Sequence, residues 1–173
     1  AVNLHTPGSV EEVQALVKKL GQQKALGSAH CFNDIADTPL DQVSTQNLNK
    51  VVAIDAAAKT ITVEGGARYG QFAPQLHETG FALHNLASLP HISVAGAIAT
   101  ATHGSGDTNR GLGGAVVGLE LVTGTGELLE LRRGQDGPVP FDAAVVHLGA
   151  LGIITHVTLA VEPAFDVRQD VFQ

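Results

Sequence analysis

Residues 88 to 106 read SLPHISVAGAIATATHGSG, and nearly every side chain between Ser93 and Gly106 is small. Ser93 is an N-cap type, so Ser93 to Thr102 is expected to form a helix or turn capped by its hydroxyl. A surface of Gly, Ala, Ser and Thr lets another backbone, or a large flat ligand, come close. A second small-residue stretch lies upstream at residues 27 to 33, GSAHCFN. It follows Lys24-Ala-Leu26, which reads as a short strand, so Gly27 opens a strand-to-loop turn. Successive backbone N–H groups in such a turn can make an anion-binding nest. Each N–H bond to a charged oxygen is worth roughly 1.5–3 kcal/mol, so four supply about 6–12 kcal/mol gross. Micromolar binding needs about 8 kcal/mol. A Gly-Ser loop also makes turns with no ligand at all, and both readings stay open on residue type alone.

Working outward, Ser9-Val-Glu-Glu12 is a capping box in which Ser9 caps the Glu12 N–H and Glu12 reaches back to Ser9. Val10, Val13, Leu16, Val17 and Leu20 follow at helical spacing, and Gly21 is a stop. Val51 to Ile54 and Thr60 to Val63 are β-branched runs joined by Asp55 to Lys59, a hairpin. Tyr69 to Glu78 reads as a helix ended by Gly80, and Phe81 to Leu83 as a strand. Val116 to Val122 and Glu127 to Leu131 form a second hairpin around Gly124-Thr-Gly126. Phe141 to His147 suggests a short helix. Ile153 to Val161 reads as a strand that Pro163 stops. This order, β-α-β and then helices among hairpins, argues for an α+β fold.

Composition narrows the function. At 173 residues the chain has the size of one domain and can bury roughly 70% of its unfolded surface. Cys31 is the only cysteine, so an internal disulfide and a Cys-rich zinc site are excluded. The formal net charge is −7, and the longest basic runs are Lys18-Lys19 and Arg132-Arg133, so no nucleic-acid partner is expected. No apolar run reaches membrane-spanning length, no membrane partner is expected, and the expected compartment is the cytoplasm. The non-Met start and the Val-Phe-Gln ending read as those of an excised or engineered segment.

The common nucleotide and hydrolase signatures fail. Gly111-Leu-Gly113-Gly114 comes nearest to a dinucleotide fingerprint but has Val116 where the last Gly belongs. His77-Glu78 has Phe81 in place of a second zinc-binding His. His103-Gly-Ser-Gly106 has no Gly two residues before its Ser. His84, His91 and His103 are spaced seven and then twelve residues apart, which fits no local zinc pattern, and no metal is expected. His5, His77, His147 and His156 are left as surface or core histidines.

The two small-residue segments together resemble the alditol (xylitol-type) oxidases of the vanillyl-alcohol oxidase / p-cresol methylhydroxylase family of flavoproteins. The run from His84 to Gly106, the upstream GSAHCFNDIAD and the later Gly149-Ala-Leu-Gly-Ile-Ile-Thr155 carry the likeness, which covers nearly the whole chain. The resemblance implies FAD, bound covalently through His30 to the 8α-methyl of the flavin ring. It implies that Leu26, Gly27, Ser28, Ala29, Cys31 and Phe32 surround the diphosphate. It further implies that Ser88, Ser93, Gly96, Thr100, Ala101, Thr102 and His103 line the cofactor, and that Ile153 and Ile154 present backbone groups to the adenine. Ser88 matches a hydroxyl near the reactive edge that also touches substrate. Ala87 matches a position where residue size admits or excludes oxygen. Cys31 reads as a small loop or packing thiol rather than a second tether. Asp34, Asp37 and Arg110 belong to the resembling stretches without an assigned role.

The fold so implied is a two-subdomain FAD-binding module within one domain, residues 1–173. A small β-α-β lobe covers about residues 1–55 and a larger antiparallel-sheet lobe about 56–173, with FAD in the cleft between them. The substrate-covering C-terminal domain of full-length relatives is expected to be missing. The implied reaction is hydride transfer from a small polyol to flavin N5, with oxygen returning hydrogen peroxide. Turnover is expected to be weak or lost in the isolated domain. The alternatives are a non-catalytic flavin-binding module, an engineered one included, and a flavin-free metal or small-molecule binder. No obligate protein partner is evident.

Overall fold

Ser9 starts the first helix, α1, Val10–Lys19. Its Oγ accepts from the Glu12 N–H at 3.2 Å. Glu12 reaches one residue further back than a capping box requires, because its carboxylate accepts from the Gly8 N–H at 2.7 Å. Glu11 and Glu12 in the first turn and Lys18 and Lys19 in the last complement the helix dipole. The structure is a computed structural model and describes residues 1–171.

α1 packs beside a three-stranded parallel sheet. Its strands are β1, Asn3–His5, β2, Gln23–Leu26, and β3, Asp41–Ser44, in the order β1-β3-β2. β3 has no sequence signature, because Asp41 and Gln42 break any apolar pattern. It is held instead by pairing on both sides and by side chains. Asp41 Oδ1 accepts from Asn3 Nδ2 at 2.9 Å and lies 2.8 Å from His5 Nε2. The hydrogen bond from His5, and then that from Asn3, hold the Asp41 carboxyl below its ordinary range.

The larger sheet is antiparallel throughout. Its strands are β4, Val51–Asp55, and β5, Thr60–Glu64, then β7, Val116–Val122, β8, Leu128–Arg132, and β9, Ile153–Ala160. The order is β4-β5-β9-β7-β8. Because β4 pairs with β5, the chain passes from the parallel sheet to the antiparallel one between Ser44 and Val51. The period-2 pattern sets the faces. Ile61, Val63, Val157 and Leu159 are buried on one side, while Thr62, His156 and Thr158 are half-buried on the other.

Helix α2, Tyr69–Glu78, α3, Val94–Ala99, and α4, Phe141–Val145, contribute Phe72, Leu76, Ile98 and Ala144 to the main core over the apolar face. Gly80 ends the α2 segment with a φ of 82°. A two-residue strand, β6, Phe81–Ala82, pairs antiparallel with β10, Glu162–Pro163. Pro163 therefore sits in a short edge strand, where a missing N–H is tolerated, and does not merely stop β9. A second, smaller core joins the two sheets: Val13 and Val17 of α1 and Val43 of β3 meet Val122 of β7 and Ile153 of β9. Gln14 Nε2 also donates to the Gly126 carbonyl at 2.8 Å. Among the described residues no helix is long and apolar enough to cross a membrane.

The tightest junction lies at Gly65-Gly66. Gly66 N–H donates to the Leu48 carbonyl at 2.8 Å, and Gly65 N–H to the Thr155 carbonyl at 2.7 Å. The Gly65 and Ala67 carbonyls accept from the Ala95 and Val94 N–H groups at 3.0 and 2.9 Å. A methyl group on Gly66 would fall inside the van der Waals shell of the Thr45 carbonyl oxygen and 2.8 Å from that of Leu48. Gly66→Ala is expected to destabilise the fold by about 3 kcal/mol or more. Gly21→Ala, where an added Cβ meets nothing within 4 Å, should change it by less than about 0.5 kcal/mol. Denaturant midpoints of the two variants check the pair.

Candidate functional site

β2 ends at Leu26, and the chain turns away at Gly27 into an open loop. Gly27 and Ser28 are half-buried, whereas Ala29, His30, Cys31 and Phe32 are exposed. Ala29 has a φ of 56°, a left-handed conformation that costs a non-glycine residue about 1 kcal/mol. Among the described residues, no N–H from Ser28 to Phe32 donates to a group within the chain. Cys31 is an exposed thiol and not a packing residue.

This loop lies along the segment that leads into α3. Ser28 Oγ accepts from the Ser93 N–H at 3.2 Å. The His30 and His91 rings are 4.6 Å apart, centre to centre, tilted by 59°. A Cβ on Gly27 would lie 2.7 Å from Ser93 Oγ and 3.4 Å from Gly96 Cα. A Cβ on Gly96 would lie 2.9 Å from Ser93 Oγ. Residues 27, 28 and 30 thus face 96, 93 and 91 in opposite chain directions. The seam joins the end of the parallel sheet to the first turn of α3.

Ser93 does not behave as the sequence suggests. It occupies the N-cap position of α3, with φ −75° and ψ 145°, but its side chain makes no capping bond. Its Oγ is buried and has no partner among the described residues. The hydroxyl is turned instead toward the gap between Gly27 and Gly96. The other end of α3 carries Thr100, Ala101, Thr102 and His103. Thr100 Oγ1 donates back to the Gly96 carbonyl at 2.8 Å. Ala101 has a φ of 56°. The Thr102 N–H donates to the Ala97 carbonyl at 2.9 Å, and its own carbonyl accepts from the Leu112 N–H. His103 is exposed, with Nδ1 3.0 Å from the Gly104 carbonyl.

The remaining expected residues are more dispersed. Ala87 is half-buried against the main core, and Ser88 is exposed on the loop between β6 and α3. Ile153 packs in the junction core and Ile154 in the main core, while their backbones pair with Val122 and Leu121. Ile154 is also a close neighbour of Gly65 through its carbonyl. His84 sits 3.1 Å from the Arg110 carbonyl. Among the described residues no group of three or more His, Cys, Asp or Glu side chains is placed to hold a metal ion.

One feature escaped the sequence: the partnership of His91 with His30 joins residues too far apart for any spacing rule. His147, adjacent to α4 and expected as a surface or core histidine, is a core one at 7% exposure. Burial pushes its pKa down, its Nδ1 accepts from the Leu151 N–H at 3.3 Å, and its Nε2 has no partner among the described residues. Two hollows elsewhere contain none of the seam residues. One, of about 530 Å³, is lined by Lys24, Asp34 and Asp37 among others. The other, of about 240 Å³, lies on the polar face of the larger sheet at Thr62, Glu120 and His156.

The seam can therefore accept a ligand that is extended, anionic in part and flat in part. Free N–H groups suit phosphate oxygens, the absence of Cβ atoms at Gly27 and Gly96 admits close approach, and the buried Ser93 hydroxyl offers a hydrogen bond. Residues 3–132 match the family described as FAD binding domain. Alditol oxidase from a Streptomyces species is 43% identical over 175 residues, covering 99% of this chain and 41% of that protein. L-gulono-1,4-lactone dehydrogenase from Mycobacterium tuberculosis is 40% identical, covering 91% of this chain and 36% of that protein. L-gulonolactone oxidase from Bos taurus is 36% identical, covering 96% and 38%. A solved structure of alkyldihydroxyacetonephosphate synthase superposes with a TM-score of 0.79 at 24% identity, over 92% of this chain and 30% of that one. The chain spans about two fifths of the curated relatives it matches.

An unpartnered buried hydroxyl costs about 1–3 kcal/mol. Ser93→Ala is therefore expected to raise the stability of the ligand-free chain by about 1 kcal/mol, seen as a higher urea midpoint at unchanged slope. A lower midpoint would mean that the hydroxyl already has a stabilising partner.

Proposed function

The chain belongs to the FAD-binding domain family, and from that premise we propose that it is the flavin-carrying part of an alditol-oxidase-like flavoprotein, with FAD bound along the seam and covalently attached at His30. The observation that carries this reading is the meeting of Gly27 with Ser93 and Gly96 beside a run of unpartnered N–H groups. The residues present fit the cofactor. The N–H groups from Ser28 to Phe32 hold the diphosphate oxygens, so an acidic chain binds an anion without Lys or Arg. Ser93 Oγ donates to a polar edge of the cofactor, and Gly27 and Gly96 let the two backbones close on it. His30, exposed on the loop between β2 and β3, contributes one ring nitrogen to the bond with the 8α-methyl. Thr100 to His103 line the same groove beyond α3, and Ile153 and Ile154 bound the adenine end.

When bound, FAD supplies a two-electron acceptor that takes a hydride from an alcohol carbon and passes the electrons to oxygen as hydrogen peroxide. Ser88 touches the substrate hydroxyl, and the small Ala87 leaves room for oxygen. Alditol oxidase is the relative with the highest identity among those above, which favours a small polyol as substrate. The chain spans about two fifths of that protein, and orienting an alcohol for hydride transfer needs groups on more than one side of it. Turnover by this chain alone is accordingly weak or absent. In this reading the two sheets mark two subdomains of one flavin-binding domain.

His30→Ala is expected to abolish acid-stable flavin while leaving reversible binding. Yellow fluorescence should stay with acid-precipitated wild-type protein and pass to the supernatant with the variant. Fluorescence retained on the precipitated variant would refute attachment at His30. A colourless wild-type chain that takes up zinc and not added FAD would overturn the flavin reading altogether. Peroxide release with xylitol or sorbitol tests the activity. Slow release or none is expected of this chain alone, and fast release would overturn the expectation of weak turnover.

A further inference from the structure

We infer that His91 is a positioning residue for His30, holding its imidazole in the orientation needed for flavin attachment. The inference rests on the reading of His30 as the attachment point and adds a residue to it. The loop that carries His30 has few anchors. Its N–H groups from Ser28 to Phe32 have no partner within the described residues. Near His30 it is tied by Ser28 Oγ, which accepts from the Ser93 N–H, and by the His30–His91 ring contact; farther along, Lys24 Nζ and Gln42 Nε2 donate to the Ile35 and Ala36 carbonyls. Both rings are exposed, so the contact contributes little to the core. What it does is exclude alternatives. A free histidine side chain samples three χ1 wells and a broad, roughly two-fold χ2. A ring packed 4.6 Å away at a 59° tilt removes the wells that would swing His30 across it.

His91 is itself well placed for this. The Ile92 carbonyl accepts from the Tyr69 N–H, and Ser93 forms a bridge with Arg68. With the Gly70 N–H donating to the Pro90 carbonyl as well, the backbone on both sides of His91 is fixed to the start of α2, and its ring meets a loop with fewer anchors. Bond formation at His30 removes one hydrogen from the methyl carbon and one proton from the imidazole nitrogen, and dioxygen takes the electron pair as hydrogen peroxide. Its rate depends on the fraction of time the nitrogen faces that carbon. Freeing the ring dilutes that fraction over the wells otherwise excluded, by about three- to sixfold.

The test uses the full chain expressed under riboflavin limitation, mixed with FAD in air, and followed by acid-stable flavin fluorescence over time. His91→Ala is expected to slow attachment about three- to sixfold with reversible FAD affinity and thermal midpoint unchanged. His91→Phe, which restores a flat ring without a nitrogen, should return the rate to within about twofold of wild type. In the flavin-free wild-type chain an NMR cross-relaxation peak should link the two imidazole rings. An Ala variant that attaches flavin as fast as wild type overturns the inference, as does a Phe variant as slow as Ala or a missing ring-to-ring peak. If wild-type chain binds FAD but never attaches it, the reading of His30 itself fails and this inference falls with it.

Discussion

Two carbonyl oxygens, those of Thr45 and Leu48, press on the backbone of Gly66 and leave space for hydrogen alone. Much else depends on that crossing. It fixes the loop after β3 against the end of β5, and so ties the parallel sheet to the antiparallel one. The adjoining Gly65 and Ala67 carbonyls take up the first N–H groups of α3, which sets where that helix begins. A short helix of small residues has little propensity to form alone. Here it forms because its start is clamped by backbone from the sheet and its Ile98 is fully buried.

The seam follows from that placement. With α3 fixed, Gly96 and Ser93 lie against Gly27, and the loop after β2 runs back along the preceding segment. Ala29, in the loop after β2, and Ala101, just after α3, both have left-handed backbone, as do Lys59 and Leu148 elsewhere. Strain of this kind persists where surrounding structure over-determines it and collects at binding sites. The buried, unpartnered Ser93 hydroxyl adds to the same account, because it is a cost that a hydrogen-bonding partner would relieve.

The chemistry of the site is economical in charge. A chain with seven more acidic than basic residues presents no basic patch to phosphate, and the seam has main-chain donors instead. Such donors need no side-chain ordering on binding. Near His30 the loop gains definition from contacts with residues 91 to 96, and in the proposed reading a bound cofactor would join loop and helix start into one unit.

Local order was legible from the sequence. The helix start at Ser9, the hairpin across Asp55 to Lys59 and the helix from Tyr69 to Glu78 are set by neighbours within a few residues, and they stand where the pattern puts them. The two small-residue segments also carried the resemblance to flavoproteins, and the chain matches the FAD binding domain family. Strands β3 and β10 were not legible, since each is short and held by pairing with a distant strand rather than by its own pattern. Nor was the fate of Ser93: local rules make it a cap, and only packing against Gly27 turns its hydroxyl into the groove. The sequence by itself determined which segments could come close. The tertiary structure alone decided which side chains meet there, His30 with His91 above all, because contacts between residues sixty positions apart carry no periodic trace.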